Sequence, residues 1–324
     1  MLSDDLKVRL LTKMHFMRLV EEEIASRYPN QQMRCPVHLS IGQEGVPAGF
    51  ALAVRKSDYA VSTHRGHAHY LAKGGDPKAM IAEIYGRATG CSKGKGGSMH
   101  LIDQSVRFMG STAIVGNSIP IGVGLGLASQ INGSDDVSCI FLGDGAVEEG
   151  VFFESVNFAA VKKLPVLFIC ENNLYSVYSP LSVRQPEGRN IACMVQTLGV
   201  DSVRADGNDV EIVFLVLSRM FDEIRSGGGP RFVEFLTYRW REHCGPSYDD
   251  ELGYRTDDEV AFWKAKDPID VMTRRINDLS PDLLADVQKE LLKIRFEIDD
   301  AFRFAERSPF PLPEDAYVGV FADE

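Results

Sequence analysis

Val137-Ser-Cys-Ile-Phe-Leu142 is the segment that best indicates the fold class of this chain. It is a short apolar run that predicts a buried strand, and residues 149–161 follow it with helical periodicity. Residues 164–170 form a second apolar run, and such nearly unbroken strands are typical of parallel sheets, whose two faces are both covered by helices. The order strand, helix, strand therefore predicts a crossover unit of a parallel sheet.

A second unit of the same kind lies further along the chain. Residues 210–225 alternate apolar and polar side chains at helical spacing, and Gly227-Gly-Gly-Pro230 ends that helix. Residues 231–238 are rich in strand-forming side chains. Repeated crossover units of this type predict a doubly wound α/β fold with a parallel sheet.

Helices are expected at both ends of the chain. Apolar residues at helical spacing, with Ser3 as the N-cap, predict an N-terminal amphipathic helix. Residues 239–255 are polar and contain turn residues, so we expect a long exposed loop there. Ser280-Pro281 begins a helix that continues to about residue 307. We therefore predict an α/β domain over residues 1–255, and a helical appendage with an extended tail over residues 256–324.

Composition narrows the classes of function. The chain has 324 residues, and its 35 Lys and Arg against 46 Asp and Glu give a net charge of −11, which opposes nonspecific binding to nucleic acid or anionic membranes. The six cysteines show no CxxC pairing, and the N-terminus lacks the basic-then-apolar order of a signal peptide. Residues 113–131 are interrupted by polar side chains and are a poor membrane span. We expect a cytoplasmic protein with no nucleic-acid or membrane partner.

Polar residues follow two neighbouring strands of the predicted sheet. Gly143-Asp144-Gly145 comes directly after the first strand, and Asn172-Asn173 follows the next one, with 26 residues between Gly145 and Asn172. The ends of successive parallel strands meet at one edge of the sheet, so Asp144 and Asn173 are expected to face the same crevice. One carboxylate and one amide oxygen suit Mg²⁺, which completes its coordination shell with phosphate oxygens and water.

The two glycines favour a phosphate ligand. Gly143 and Gly145 leave the backbone free to turn sharply, and their amide N–H groups can approach phosphate oxygens at the start of a helix. A GDG tripeptide alone is also a common strand-to-helix turn. The asparagine pair at the expected spacing favours a binding site over a simple turn, and we expect a diphosphate with its magnesium ion.

Together these motifs resemble a known family. Gly143-Asp144-Gly145 and Asn172-Asn173 resemble the thiamine diphosphate (ThDP) and magnesium motif, and the surrounding sequence is similar to the α subunit of the decarboxylating first component of 2-oxo acid dehydrogenase complexes. The likeness covers about residues 38–268 and includes four further segments: His38-Leu39 with Gly42-Gln43-Glu44, Gly94-Lys-Gly-Gly-Ser-Met-His100, Ile114-Val115-Gly116, and Thr237-Tyr238-Arg239 leading to His243. The resemblance implies the ThDP-binding form of the doubly wound fold.

The resemblance implies a role for each residue that binds the metal or the diphosphate. Asp144 and Asn173 are expected to bind Mg²⁺ through their side chains, and Tyr175 through its backbone carbonyl. Gly145 and Ala146 are expected to contact the diphosphate through main-chain N–H groups.

The resemblance also implies the remaining site residues. Arg65 matches the arginine that binds phosphate, a role suited to a permanently charged planar guanidinium. Ala113 and Val115 match positions that hold the aminopyrimidine and support the bent cofactor. His38 and His243 match the two active-site histidines.

Two positions depart from the family pattern. His64, which we also expect to contact the cofactor, stands where the family commonly has a tyrosine before its phosphate-binding arginine. Cys244 stands where animal members have a regulatory serine after the active-site histidine. The contacts to the diphosphate and the control of the loop are therefore expected to differ from those of other members.

Three further patterns have simpler explanations. His64, His67 and His69 are close enough to suggest zinc, but further ligands at a suitable spacing are missing. Gly122-Val-Gly-Leu-Gly126 is similar to a dinucleotide fingerprint, but no strand immediately precedes it, and close helix packing explains it better. Gly94-Lys-Gly-Gly97 lacks the Lys-Ser/Thr ending of a P-loop and is interpreted as a turn near the cofactor pocket.

These observations leave three hypotheses for function. The first is an α subunit that decarboxylates a 2-oxo acid such as pyruvate and transfers the acyl group to a lipoyl-bearing acyltransferase. Its heterotetrameric partner, a β subunit, would supply the glutamate that activates the pyrimidine. The second is a ThDP-dependent carboligase or acetoin-cleaving subunit, suggested by the unusual residues 240–252. The third is a non-catalytic α/β protein that binds nucleotides.

Overall fold

A six-stranded parallel sheet forms the centre of the computed structural model, which describes residues 2–319. Its strands are β1 (Tyr59–Ser62), β2 (Phe108–Ser111), β3 (Ser138–Gly143), β4 (Val166–Asn172), β7 (Asp201–Asp206) and β8 (Arg231–Leu236). Their spatial order is β2-β1-β3-β4-β8-β7, and every neighbouring pair is parallel. A separate small antiparallel hairpin joins β5 (Tyr175–Ser176) and β6 (Ser179–Pro180).

Helices cover both faces of this sheet. They are α1 (Asp4–Arg27), α2 (Gly45–Ala53), α3 (His67–Ala72), α4 (Pro77–Ile84), α5 (Ser118–Ile131), α6 (Gly150–Lys162), α7 (Leu181–Arg184), α8 (Ile191–Gln196), α9 (Val210–Glu223), α10 (Asp257–Lys264), α11 (Pro268–Leu279) and α12 (Pro281–Arg307). One core cluster joins the sheet to α1, α2, α4, α9, α11 and α12, and a second joins it to α5, α6 and α8. The predicted doubly wound α/β fold is confirmed.

The elements that the apolar runs predicted are present with small shifts at their ends. Every residue of β4 is buried, as is every residue of β3 except Gly143, because helices pack on both faces of these central strands. The predicted N-terminal helix is α1, and the side chain of Ser3 accepts a hydrogen bond from the N–H of Leu6 at 3.3 Å. The predicted C-terminal helix is α12.

The direction of chain winding fixes where a ligand can bind. After β1 the chain moves outward to β2, and it then returns to the other side of β1 to form β3. The loops that follow β1 and β3 therefore diverge to opposite sides of the sheet. Doubly wound sheets bind ligands in the crevice at such a switch point, outside the carboxyl ends of the strands.

The glycine repeat in α5 serves helix packing. A Cβ atom on Gly122 would lie 2.3 Å from the side chain of Ile140, and one on Gly126 would lie 2.4 Å from that of Val166. Both positions must remain glycine for α5 to lie this close to β3 and β4. The helix-packing interpretation of this segment is therefore correct.

Gly94-Lys-Gly-Gly97 is a turn, but most of its backbone N–H groups already donate hydrogen bonds within the protein. The carboxylate of Glu83 accepts hydrogen bonds from the backbone N–H groups of Ser92, Gly94, Gly96 and Gly97 at 2.7 to 3.1 Å. This carboxylate occupies the place that a phosphate would take in a P-loop. No residue of the turn lines the cleft at the switch point, and its position near the cofactor pocket stays a prediction.

Residues 239–255 are irregular as predicted, but they are not exposed throughout. Arg239, Asp249 and Arg255 are buried. Asp249 forms ion pairs with both arginines, and Arg255 donates a hydrogen bond to the carbonyl of Arg239 at 2.8 Å. Buried charges need partners, and this network supplies them while it fixes the course of the loop.

The C-terminal helices share a core with the N-terminal part of the chain. Side chains of α11 and α12 pack in the same cluster as those of α1 and α4. The boundary between residues 255 and 256 stays a prediction, and Met1 and the last five residues of the predicted C-terminal segment lie outside the described residues. Across residues 2–319, no helix combines the length and apolarity needed to cross a membrane.

Candidate active site

A cleft with about 630 Å³ of empty space opens at the switch point between β1 and β3. Its walls come from the loops after β1, β2, β3 and β4, with additions from the β5 hairpin and from the loop 239–255. Nine of the residues named from the sequence line it: His64, Arg65, Val115, Asp144, Gly145, Ala146, Asn173, Tyr175 and His243. The fold thus brings residues from five separate segments to one place.

Asp144 lies at what we call the metal end of the cleft, together with Asn173 and Tyr175. It is the first residue of a 3₁₀ turn, Asp144–Glu148, that directly follows β3, and its side chain is 2% exposed. Arg184 forms an ion pair with this carboxylate. Burial raises the pKa of Asp144, and the charge of Arg184 opposes that rise.

The side chain of Asn173 is held in one orientation. Its amide nitrogen donates to Oε1 of Gln43 at 3.0 Å, and its Oδ1 accepts the N–H of Tyr175 at 3.2 Å. An amide oxygen has two lone pairs, so Oδ1 can accept this bond and still bind a metal ion. The hydroxyl of Tyr175 donates to Glu259 at 2.8 Å, which fixes the residue whose carbonyl is the third expected metal ligand.

The backbone around the metal end is strained and closely packed. Leu174 and Val177 have φ angles of +74° and +55°, which is a rare conformation for a branched residue such as Val177. A Cβ atom on Gly145 would lie 2.9 Å from Oγ of Ser176. Such strain tends to cluster at functional sites, and here it lies in the segment that covers the Gly143-Asp144-Gly145 turn.

Three histidines meet at the other end of the cleft, which we call the histidine end. The ring centroids of His38 and His64 are 4.7 Å apart, and His243 lies 5.2 Å from His38 and 5.3 Å from His64. Burial, aided by the charge of Arg65, lowers the pKa of His38 to about 2, of His64 to about 3 and of His243 to about 4. All three imidazoles are therefore neutral near pH 7.

Arg65 lies beside these histidines. Its guanidinium donates to the carbonyls of Leu39 at 2.6 Å and of His243 at 3.3 Å. Burial and the nearby charge of Arg239 lower the pKa of Arg65 to about 10, so the group stays positively charged at neutral pH. A fixed positive charge among neutral imidazoles creates a local field that favours an anionic ligand.

The loop that contains His243 is tied to the metal end. Arg239 donates hydrogen bonds to the carbonyl of Val177 at 2.6 Å and to the hydroxyl of Tyr254 at 2.9 Å. Val177 itself lines the cleft. The two ends of the cleft are thus connected through the buried charges of residues 239–255.

Ala113 and His38 are the two predicted site residues that do not line the cleft. The N–H of Ala113 faces Nε2 of His100 at 3.4 Å, while its neighbours Ile114 and Val115 form part of the cleft wall. His38 is buried behind His64 and His243.

Comparison with known proteins shows which family this chain belongs to. The family described as "Dehydrogenase E1 component" matches residues 12–314. The pyruvate dehydrogenase E1 component subunit alpha of Rickettsia felis is 35% identical to this chain over 314 residues, which is 97% of this chain and 95% of that protein. This chain belongs to the dehydrogenase E1 alpha family.

Two further E1 alpha relatives extend the comparison. The pyruvate dehydrogenase E1 alpha subunit of Rhizobium meliloti is 36% identical over 322 residues, covering 98% of this chain and 90% of that protein. A chloroplastic alpha-3 subunit from Arabidopsis thaliana is 35% identical over 312 residues, covering 94% of this chain and 72% of that protein. The family resemblance drawn from the motifs is confirmed.

The remaining histidines of the His64-to-His69 segment do not join His64 in this E1 alpha chain. Nε2 of His67 lies 2.8 Å from Oγ of Ser98, and Nδ1 of His67 lies 3.3 Å from a Glu21 oxygen. His69 lies between Ser62 and Glu171, at 2.7 and 3.0 Å. The three histidines point to different partners, so His64, His67 and His69 do not form the zinc cluster that their spacing suggested. His64 instead lies with His38 and His243, whose ligand nitrogens are within 4.8 Å of one another.

Three polar residues at the cleft of this E1 alpha chain were given no role from the sequence. Glu171 and Gln43 line the cleft, and Arg184, at the end of α7, forms an ion pair with Asp144. Glu171 could have been noticed, because it stands at the end of β4 directly before Asn172-Asn173. Arg184 gave no signal, because only the fold brings α7 onto the turn that contains Asp144.

Proposed function

We propose that this chain is the α subunit of a ThDP- and Mg²⁺-dependent 2-oxo acid dehydrogenase. In this proposal it acts with a β subunit on a 2-oxo acid such as pyruvate and passes the acyl group to a lipoyl-bearing acyltransferase. The observation that carries the proposal is the meeting of hard oxygen donors, a buried arginine and neutral histidines in one switch-point cleft of an E1 alpha chain.

The residues at the metal end fit Mg²⁺ and a diphosphate. A carboxylate, an amide oxygen and a backbone carbonyl are the donors that Mg²⁺ prefers. The absence of a Cβ at Gly145, where Ser176 already packs closely, suits main-chain N–H contacts to phosphate at Gly145 and Ala146. Asp144, Asn173 and Tyr175 would hold the ion, and Arg65 and His64 would face the diphosphate.

The residues at the histidine end would bind the substrate and move protons. ThDP, when bound, supplies a carbon nucleophile and an electron sink for decarboxylation. Neutral imidazoles can donate or accept a hydrogen bond near pH 7, so His243, which lines the cleft, can serve a substrate oxygen. His38 lies behind the rings of His64 and His243, and its proposed contact with the substrate requires those rings to move. The positive charge of Arg65 would favour the anionic form of a 2-oxo acid or the diphosphate. Val115 would contact the pyrimidine side of the cofactor, and the same role for Ala113, which lies outside the cleft wall, stays a prediction.

A β subunit is required for two reasons in this proposal. The first concerns the acid that activates the pyrimidine: the lining carboxylates are Asp144 and Glu171, and Glu171 is held by His69 at 3.0 Å. We therefore assign the activating glutamate to the β subunit of a heterotetramer. The second is a set of exposed apolar side chains, two of them at the cleft and the others on the neighbouring helices α5 and α6: Ile114, Val115, Ile121, Ile131, Phe153, Phe158 and Val161.

We propose that the enzyme works in the cytoplasm. All six cysteines carry free thiols, and Cys139 and Cys170 are buried in strands where they pack as small apolar residues. A reducing compartment would keep these thiols free.

The decisive experiment is reconstitution with a β subunit of the same enzyme family. We expect the α chain alone to be inactive, and the mixture to decarboxylate a 2-oxo acid only with ThDP and Mg²⁺. Full activity without β would contradict the two-chain proposal. Calorimetry that finds no ThDP binding by the αβ assembly with Mg²⁺ would favour the non-catalytic hypothesis.

A lipoyl domain separates the two enzymatic hypotheses. The dehydrogenase should form acyl-lipoyl product, and its turnover with a physiological acceptor should depend on that domain. A carboligase or acetoin-cleaving subunit should ignore the lipoyl domain and transfer the unit to, or release it as, a small carbonyl compound. Product analysis with and without the domain distinguishes the two.

A further inference from the structure

Arg184 holds the carboxylate that the proposed function assigns to Mg²⁺. It is the last residue of α7, and its guanidinium forms an ion pair with Asp144, with side-chain exposures of 11% and 2%. A second guanidinium nitrogen donates to Glu148 at 2.6 Å, and Nε donates to the carbonyl of Ser179 at 3.0 Å. All three nitrogens of the group are therefore used, and its position is defined by several independent contacts.

This ion pair has a clear physical reason. A carboxylate as deeply buried as Asp144 is costly unless a positive charge or several hydrogen bonds compensate it. Arg184 supplies such a charge from within the chain. A divalent ion supplies the same compensation, and two cations on one carboxylate repel each other strongly where water is excluded.

We propose that Arg184 is the resident counter-cation of Asp144 and competes with the divalent metal ion for this carboxylate. Metal binding then requires the guanidinium to withdraw from Asp144. The inference rests on the proposed function, because it takes Asp144 to be a metal ligand. It goes further by assigning to Arg184 a positioning role that sets the affinity of the site for its metal.

Arg184 belongs to a segment that contacts the turn of Asp144 at several points, so withdrawal of its guanidinium would affect how this segment is held. Gln185 also contacts Glu148, with its side-chain nitrogen 3.1 Å from Oε1. The preceding hairpin places Ser176 against Gly145, the expected diphosphate contact. Residues 176–185 are thus fixed to the turn that contains Asp144 at three points. Loss of the Arg184 contact would weaken the attachment of this segment at the point where the cofactor is expected to bind.

A different role for Arg184 makes a different prediction. A guanidinium is a good bidentate partner for phosphate, so Arg184 could be a direct ligand of the diphosphate. Removing it would then weaken ThDP binding and leave the affinity for metal alone unchanged. Competition with the metal predicts that removing Arg184 strengthens the binding of metal alone. The affinity for metal alone therefore decides between the two roles: it rises if Arg184 competes with the metal, and it stays unchanged if Arg184 binds phosphate.

The test uses the full chain assembled with its β subunit, freed of metal with EDTA and without ThDP. Mn²⁺ alone is the probe, because it also prefers hard oxygen ligands and its binding is measured by paramagnetic resonance. We expect Arg184→Gln to bind Mn²⁺ roughly tenfold more tightly than the unmodified chain, the change expected when a competing charge-assisted contact is removed. Arg184→Lys keeps the charge but loses the planar fork, and should lie between the two.

Two matched variants complete the design. Arg189→Gln makes the same charge change at an exposed arginine that has no ion pair in the described part of the chain, and it should bind Mn²⁺ like the unmodified protein. Asp144→Asn should bind Mn²⁺ poorly. If Arg184→Gln folds badly, Arg184→Lys alone still tests the direction of the change.

The outcomes separate this inference from the function on which it rests. Unchanged or weaker Mn²⁺ binding by Arg184→Gln and Arg184→Lys would overturn the competition, and weaker ThDP binding in addition would make Arg184 a phosphate ligand. Unchanged Mn²⁺ binding by Asp144→Asn would instead refute the metal-ligand assignment within the proposed function. Tighter Mn²⁺ binding by both Arg184 variants, but not by Arg189→Gln, supports the inference.

Discussion

The two ends of the cofactor cleft bury ionisable groups in opposite ways. At the metal end, a deeply buried carboxylate is compensated by Arg184, so a charge is kept by giving it a partner. At the histidine end, three imidazoles lose their charge, because burial and Arg65 lower their pKa values far below 6.5. Burial costs free energy in both places, and either pairing or neutralisation reduces that cost.

The difference corresponds to what each end is proposed to do. A site for a divalent ion needs an anionic ligand, and the charge of Arg184 favours the ionised form of Asp144 against the effect of burial. A site for proton transfer and substrate hydrogen bonding needs groups that can donate or accept near neutral pH, which neutral imidazoles can do. We therefore call the metal end the charged end, after Asp144, and the histidine end the neutral end, after its three imidazoles, which lie beside the charged guanidinium of Arg65. Arg239 connects the loop of His243 to the metal end.

The largest effect is expected at the neutral end. His243→Ala should lower kcat by roughly 10²- to 10⁴-fold, because it removes a proposed general acid–base or hydrogen-bonding group from the reacting centre. ThDP affinity should change much less, because the metal end is untouched. Steady-state kinetics of the αβ assembly with a 2-oxo acid, and calorimetry with ThDP, measure the two quantities. Cys244→Ala is the control at the exposed neighbour, and unchanged turnover of His243→Ala would remove this residue from the mechanism.

The next effect concerns stability at the charged end. Asp144→Asn removes the anion and leaves the guanidinium of Arg184 largely buried without its main partner. Breaking one side of a buried pair should lower the free energy of unfolding by about 3 kcal/mol in the metal-free protein. Urea denaturation measures this change. Asp135→Asn, at an exposed ion pair with Arg55, should cost much less, and equal costs for the two variants would show that burial does not set the strength of the Asp144 pair.

The sequence allowed the charged end to be predicted far better than the neutral end. Asp144 and Asn173 each follow an apolar strand directly, and parallel topology forces such positions to one edge of the sheet. Local sequence and a general rule of topology were therefore sufficient to place them together. His38, His64 and His243 come from three distant segments, and only the family resemblance named two of them as active-site residues.

Contacts that depend on tertiary structure could not be predicted. The ion pair between Arg184 and Asp144 joins residues 40 positions apart, and Arg184 lies in a polar stretch with no motif. The sequence indicated an exposed loop at 239–255, because polar composition is the usual sign of exposure. The loop is instead fixed by mutual pairing of its charged residues, which composition cannot show. The short strands β1, β2 and β7 were also missed, since β1 and β2 have four residues each and two-thirds of the residues of β7 are polar.

A smaller effect should appear in the pH dependence of stability. The pKa values of the three histidines in the folded chain lie below 6.5, so the unfolded chain binds more protons in acid. Their contribution to stability is complete above about pH 6.5 and is lost as the pH falls towards 4, at up to about 1.4 kcal/mol per pH unit for each histidine. His64→Phe should reduce this slope. Urea midpoints at pH 7 and pH 5 measure it, and an unchanged slope would contradict the neutral assignment of His64.

The smallest effect tests whether the stability contributed by the ion pairs of Arg184 depends on their burial or simply on their number. Glu148 binds the same guanidinium as Asp144, at 2.6 Å, but its side chain is 28% exposed where that of Asp144 is 2% exposed. Glu148→Gln should therefore lower the free energy of unfolding by less than about 1 kcal/mol, because water can replace the lost contact and Asp144 still holds Arg184. Urea denaturation beside Asp144→Asn gives the comparison directly. A loss as large as that of Asp144→Asn would mean that Arg184 is positioned by Glu148 rather than by Asp144, and that the buried carboxylate is compensated by other groups in the cleft.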